Sequence, residues 1–225
     1  MTESLEFYLQ NSNHPKGLYQ SKIVDEILNK EFNFSYVECI ETGVSYGGND
    51  DNFGVYLAKF TQSFNGKMSS VDIDEQRVNA SQTFINEHVK GIDYKSYSLD
   101  SVEFLKNYKG NPNLVHLDSY DLDIPNPLPS MLHHWLEFVE IESKMPSGSI
   151  LLVDDNFFRG TTVYWNTLDG EGNITKTEPI DIIYEIVGKG SLIYHAIKEK
   201  KINNWVLVGG HYHAGPNQKL IFKKL

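Results

Sequence analysis

The stretch Glu41-Thr42-Gly43-Val44-Ser45-Tyr46-Gly47-Gly48 follows a short apolar run, Tyr36-Val37-Glu38-Cys39-Ile40. A strand that ends on an acid and breaks into a glycine-rich turn makes a nucleotide-cradling corner. Glycine lets the backbone turn sharply there and approach a ligand with no Cβ in the way. Further on, a second run ends in Val71-Asp72-Ile73-Asp74, where a carboxylate suits the paired hydroxyls of a ribose. Three more runs stop at acids: at Asp100-Ser101, at Asp118 with Asp121 and Asp123, and at Asp154-Asp155-Asn156. A single carboxylate at such a point is commonly a helix cap or turn former, but capping alone does not account for five in succession. Asp118, Asp154 and Asp155, gathered at neighbouring strand ends, would repel one another unless a cation sat among them. All-oxygen ligation favours Mg²⁺ or Mn²⁺ over zinc. The competing reading makes 154–156 a solvated loop.

The spacing of apolar residues supplies the scaffold for these groups. Helices are expected over 23–30, 52–64, 75–88 and 132–143, with a further one starting at Asp100 or Ser101 as N-cap. The second carries Phe53, Tyr56, Leu57, Phe60 and Phe64, and the 132–143 helix carries Leu132, Trp135, Leu136 and Val139. Strands are expected at 67–72, 94–98, 113–118 and 149–153, the last (SILLV) apolar enough to be central. Strict strand–helix alternation gives a parallel sheet with helices on both faces. After Asp155 the rhythm changes to a hairpin from Val163 to Asn173, a helix near 191–200, and strands at 205–208 and 219–222 that pair antiparallel at the sheet edge. The aromatic-bearing segment 157–189 (Phe157, Phe158, Tyr164, Trp165) is expected to cover an acceptor site or to serve as a dimerisation arm, readings of equal weight.

Bulk properties exclude several classes. A chain of 225 residues with 40% hydrophobic and 22% charged content reads as one ordinary globular domain, 1–34 being an N-terminal helical segment. No apolar run approaches the ~20 residues of a membrane span, and the acidic start Met1-Thr2-Glu3 lacks the apolar stretch of a secretory signal. The single cysteine, Cys39, has no internal partner, so a reduced, cytoplasmic setting is expected. A formal charge of −10 argues against nucleic acid as partner.

The ordered set, from the E-x-G-x-x-x-G corner Glu41–Gly47 through Asp72, Asp100-Ser101 and Val115-His116-Leu117-Asp118-Ser119-Tyr120-Asp121 to Leu151-Leu152-Val153-Asp154-Asp155-Asn156, resembles the class I S-adenosylmethionine-dependent methyltransferases. Within them it resembles the metal-dependent O-methyltransferases of the catechol and macrocin-like types. The resemblance implies a Rossmann-like, doubly wound, seven-stranded α/β sheet, mostly parallel with an antiparallel last strand. It places Glu41, Gly43, Ser45 and Gly47 at the methionine part of S-adenosylmethionine, Asp72 at the ribose, and Asp100 with Ser101 near the adenine. Asp118, also beside the cofactor, would hold a divalent cation with Asp154 and Asp155, and Asn156 is a reserve ligand. The acceptor would be a hydroxyl of a small polyhydroxylated molecule such as a sugar, and the protein a possible homo-oligomer. The catechol type has a lysine three residues after its first metal aspartate; here Asp121 stands there. The base is therefore open among Asp121, His133 and His134. His116 is expected to be a buried, hydrogen-bonded core residue, His211 and His213 to be solvated, and Asp51 or Asn52 to cap the first helix after the corner. The alternatives are a metal-independent methyltransferase and, with less support because Gly43-x-x-x-Gly47-Gly48 departs from G-x-G-x-x-G, a nicotinamide-dinucleotide protein.

Overall fold

A computed structural model describes residues 3, 6, 8, 17–47, 52–168, 173–210 and 218–225. The alternation read from the sequence runs β1 (Glu38–Thr42), α2 (Phe53–Ser63), β2 (Lys67–Asp72), α3 (Glu75–His88), β3 (Asp93–Ser98), α4 (Ser101–Asn107), β4 (Leu114–Leu117), α5 (Leu128–Glu142) and β5 (Ile150–Phe158). Helix α1 (Gly17–Glu31) precedes them. After β5 come β6 (Thr162–Leu168), β7 (Ile174–Asp181), β8 (Ile186–Gly188), α6 (Ser191–Lys198), β9 (Trp205–Gly209) and β10 (Gln218–Lys224).

The main sheet has the order β3-β2-β1-β4-β5-β10-β9, the pairs from β3 to β5 being parallel and β10 antiparallel to both neighbours. This is the expected seven-stranded path. An antiparallel strand next to β5 separates it from the dinucleotide-binding order 3-2-1-4-5-6. β8 adds an eighth strand against the far half of β5. β1, β4 and the first half of β5 are buried on both faces, so their side chains knit two apolar clusters, one on each side of the sheet. That burial holds the strand ends, and the acids on them, in fixed register.

Three features differ from the expectations. β5 does not stop at Val153; it continues through Asp154 and Asp155, because β8 and β10 supply hydrogen-bonding edges beyond β4's end. Phe157 consequently lies in a strand, packed with Ile124, Ile182 and Val187 at the root of the β6–β7 ribbon, whose outer strand is exposed. Helix α5 buries Ser130, His134, Glu137, Phe138 and Ile141, while Leu132, Leu136 and Val139 are about half exposed. The capping expected of Asn52 is absent. It stands at the N-cap of α2 in left-handed backbone, but its side chain turns back to the corner. Asp51, His211 and His213 lie outside the described residues. No helix among the described residues is long and apolar enough to cross a membrane.

Candidate active site

The carboxyl ends of β1, β2, β4 and β5 enclose a cavity of about 420 Å³ lined by Glu41, Gly43, Asp72, Asp118, Asp154 and Lys189, among others. The corner at its edge is braced by its own side chains. Gly43 has φ +80°, and a Cβ there would lie 2.6 Å from the Asp118 carbonyl oxygen, so only glycine allows β1 and β4 to end this close together. Glu41 is buried; its Oε2 accepts from Ser70 Oγ at 2.8 Å, and its Oε1 lies 3.5 Å from Ser45 Oγ. Ser45 Oγ in turn accepts the Gly54 amide at 2.8 Å, tying the corner to α2. The Gly47 amide donates to Asn52 Oδ1 at 2.8 Å, which is where the missing cap went.

A second cavity of about 230 Å³ adjoins the first, the two sharing Asp72 and Ser119. Asp100, Ser101, Tyr120 and His133 line its far side. Asp72 accepts the Asp74 amide at 2.9 Å, and burial raises its pKa. Asp100 caps α4 by accepting the Glu103 amide at 2.9 Å and borders the cavity as well, so capping and lining are not exclusive. Together the cavities form one groove that runs from the β3 side to the β5 side.

Asp118, Asp154 and Asp155 converge as expected, and two lysines meet them. The Lys189 ammonium contacts Asp118 Oδ1 and lies 2.9 Å from Asp155 Oδ2. The Lys219 ammonium contacts Asp154 Oδ2 and sits 4.5 Å from the centroid of the Phe53 ring. Both lysine side chains are 2% exposed; the Lys219–Asp154 pair is buried on both sides, while Asp118 and Asp155 are 31% and 28% exposed. Burial opposes the charge on Lys189, yet Asp118, Asp155 and Asp154 outweigh it and hold its pKa above the ordinary lysine value. Burial likewise raises Asp154, but Lys219, then His116 and Lys189, leave it well below the usual carboxylate range. His116 lies beneath, its Nδ1 3.8 Å from Glu41 Oε1 and its Nε2 3.9 Å from Asp154 Oδ2. It is buried as expected, but among the described residues neither ring nitrogen has a hydrogen-bond partner, because the nearest acids are drawn toward Ser70 and Lys219.

Whether these residues suit a divalent ion can be judged from their charge balance. His116, Asp118 and Asp154 each present a donor atom within 4.8 Å of the others, a spacing a cation can use. Each of the three carboxylates, however, already touches a buried ammonium, and a doubly charged ion among them would face two like charges in a low-dielectric setting. With both lysines in place, the site does not fit a resident ion. Asn156 is no reserve ligand, because its Nδ2 donates to the carbonyls of Val153, Asp154 and Gln218, and its Oδ1 accepts the Gly190 amide at 2.8 Å. Its work is to anchor the turn that carries Lys189.

Of the three candidate bases, only Asp121 borders the larger cavity; among the described residues no ammonium contacts it. His133 lines the smaller cavity, and His134 is fully buried under it, so neither stands at the carboxylate crevice. The lysines escaped the sequence reading, although each left a trace. Lys189 stands between Gly188 and Gly190, and a Cβ at Gly188 would meet the Asp155 carbonyl oxygen at 2.1 Å. Lys219 is the charge at the start of the apolar run Leu220-Ile221-Phe222, and a lysine in a buried strand requires a partner.

No protein-family model and no curated protein matches the sequence. Solved structures do resemble it. TrmN from Thermus thermophilus superposes with a TM-score of 0.55 at 8% identity over 89% of this chain, which spans 48% of that protein. The magnesium protoporphyrin IX methyltransferase of Synechocystis PCC 6803, with bound SAH (S-adenosylhomocysteine), gives 0.54 at 13% identity, covering 93% of this chain and 83% of that one. An rRNA methylase from Streptococcus thermophilus gives 0.50 at 11%, covering 92% and 96%. At such identities the likeness establishes a common fold: the chain has the architecture of the class I methyltransferases.

Proposed function

We propose that the chain is an S-adenosylmethionine-dependent methyltransferase acting on a hydroxyl of a small, uncharged, polyhydroxylated molecule, with its acidic crevice compensated by lysines rather than by a metal. The observation that carries this reading is the continuous groove. It begins at Asp100-Ser101, passes Asp72 and the Gly43–Gly47 corner, and ends on the Lys189-bridged pair Asp118 and Asp155. The fit to the cofactor rests on this donor set: carboxylates face where ribose hydroxyls and a cationic centre would lie, and the corner needs glycine.

Bound S-adenosylmethionine supplies an electrophilic methyl group on a sulfonium. The chain's own residues do the rest. Asp72 would accept from the ribose hydroxyls, while Glu41 holds Ser45 and hence the corner in shape. Lys189, kept protonated, fixes Asp118 and Asp155 as hydrogen-bond acceptors, so that acceptor hydroxyls are oriented by a preorganised, partly buried set. Asp121, exposed and without an ammonium contact among the described residues, would take the hydroxyl proton as the carbon–oxygen bond forms and the carbon–sulfur bond breaks.

Acids outnumber bases around the larger cavity: Glu41, Asp72, Asp118, Asp121, Asp154 and Asp155 against Arg77 and Lys189. With a formal charge of −10 on the whole chain, this opposes a phosphate-bearing acceptor. A second reading, assistance by a divalent cation, draws support only from the donor spacing of His116, Asp118 and Asp154. Titration calorimetry with S-adenosylmethionine, with and without EDTA, tests both. Saturable binding is expected, with less than a twofold change on chelation. No binding would end the methyltransferase reading, and binding or turnover that requires added Mg²⁺ would restore the metal.

A further inference from the structure

Beneath the smaller cavity, α5 buries a carboxylate with no lysine or arginine against it among the described residues. Glu137 has no exposed surface; its Oε1 accepts from Ser119 Oγ at 2.7 Å and lies 3.6 Å from His133 Nε2. Its Oε2 faces His134 Nε2 at 3.8 Å, and among the described residues neither atom has a hydrogen-bond partner. His134 Nδ1 must donate to the Ser130 carbonyl oxygen, 2.8 Å away, which fixes its tautomer and leaves Nε2 without a proton while the ring is neutral. His133 Nε2 is 2.9 Å from Ser101 Oγ, and its ring reaches the cavity wall.

From this arrangement we infer that Glu137 holds His133 as an imidazolium at the adenine end of the groove, making cofactor affinity depend on that one proton. The inference rests on the methyltransferase reading above. A buried carboxylate demands a nearby positive charge, and only His133 can both supply it and reach the ligand. Burial lowers His133, but Glu137 and then Asp100 more than offset it, leaving its pKa above the ordinary histidine value. Burial holds His134 down to about 4, so it stays neutral where His133 is charged. Other charged or titratable groups facing the pair are Asp72 and Tyr120 across the cavity and Lys189 from the turn before α6; Lys189 works against protonation and Asp100 for it. Purine ring nitrogens accept hydrogen bonds, and a charged donor is worth more to them than a neutral one. Glu137 is thus a positioning residue, acting through His133.

The test is S-adenosylhomocysteine affinity by calorimetry from pH 6 to 9 on the full chain, with imidazole titration followed by NMR. Wild type should bind about tenfold more weakly at pH 9 than at pH 6.5, whereas His133→Asn should bind weakly and without that pH response. Glu137→Gln should move the response, and the NMR midpoint of His133, to lower pH. If that variant does not fold, the wild type and His133→Asn still decide the matter. Equal pH responses in wild type and His133→Asn would overturn the inference while leaving the proposed function standing. Absence of binding at every pH would overturn both.

Discussion

Asp118, Asp154 and Asp155, at the ends of β4 and β5, meet ammonium groups, whereas Glu137 on α5 meets only imidazoles and hydroxyls. Both regions bury negative charge in one groove, but they answer differently to pH. Lys189, whose pKa is raised by its acid partners, keeps its proton throughout the physiological range, so the crevice retains that cation. An imidazole gains and loses its proton there, so the neighbouring pocket has two states. The part of the groove assigned to chemistry keeps its cation, and the part assigned to holding the cofactor gains and loses one.

The sharpest way to break the contrast is to remove a fixed charge. Lys219→Met leaves Asp154 buried without its cation and should cost about 3–5 kcal/mol in denaturant unfolding. Adding Asp154→Leu should recover most of that loss. If the double variant is as unstable as the single, the lysine stem packed on Phe53, not the charge, is what matters. Next comes Lys189→Met, expected to lower turnover on the order of 10²–10³-fold by losing preorganised charge, with S-adenosylhomocysteine affinity held within about threefold. Turnover within tenfold of wild type would remove Lys189 from the proposed mechanism.

The smallest effect belongs to the adjustable region and concerns acid stability. His134 is buried neutral with its pKa lowered to about 4, so between that value and about 6.5 the unfolded chain binds the proton better. Stability must therefore fall with falling pH in that window, by about 1.5 kcal/mol from pH 6.5 to 5 on account of this residue. Glu137, raised by burial but held down to about 2 by the two histidines, adds a further loss only below about pH 4.5. The raised His133 acts in the opposite sense: its contribution is complete at low pH and fades as pH rises through its folded value. Thermal melts of wild type and His134→Gln between pH 5 and 6.5 isolate the first of these. Parallel curves would show that His134 is not held neutral.

Much of this was legible in the sequence because it is local. Gly43 and Gly47 sit in a turn whose geometry needs them, Asp100 caps the helix it precedes, and the apolar run of β5 announces a central strand. What remained hidden depends on contacts between distant residues. Nothing near Asp155 signals that Lys189 returns to it through β8, and nothing near Asp154 signals Lys219. The orientation of α5 was hidden for a related reason. Leu132, Leu136 and Val139 suggest the buried face, but Ser119 and His133 lie against Glu137 and the Ser130 carbonyl partners His134, so the leucines of that helix are left on the outside. A buried polar network inverts the usual polarity rule here even though Glu137 Oε2 and His134 Nε2 find no hydrogen-bond partner among the described residues.

The pairing of β10 with β5 slips between Gln218 and Leu220, and Lys219 sits at the slip. Two steps along β10 there match three along β5, from Asn156 to Val153, so the extra residue lies on β5, at Asp154 and Asp155, and decides which face of that strand carries each acid. Deleting one residue of that acidic pair would reverse the faces of β5 beyond it and part the carboxylates from the ammonium groups they meet. Chain length, and not merely residue identity, is thus part of what the site encodes.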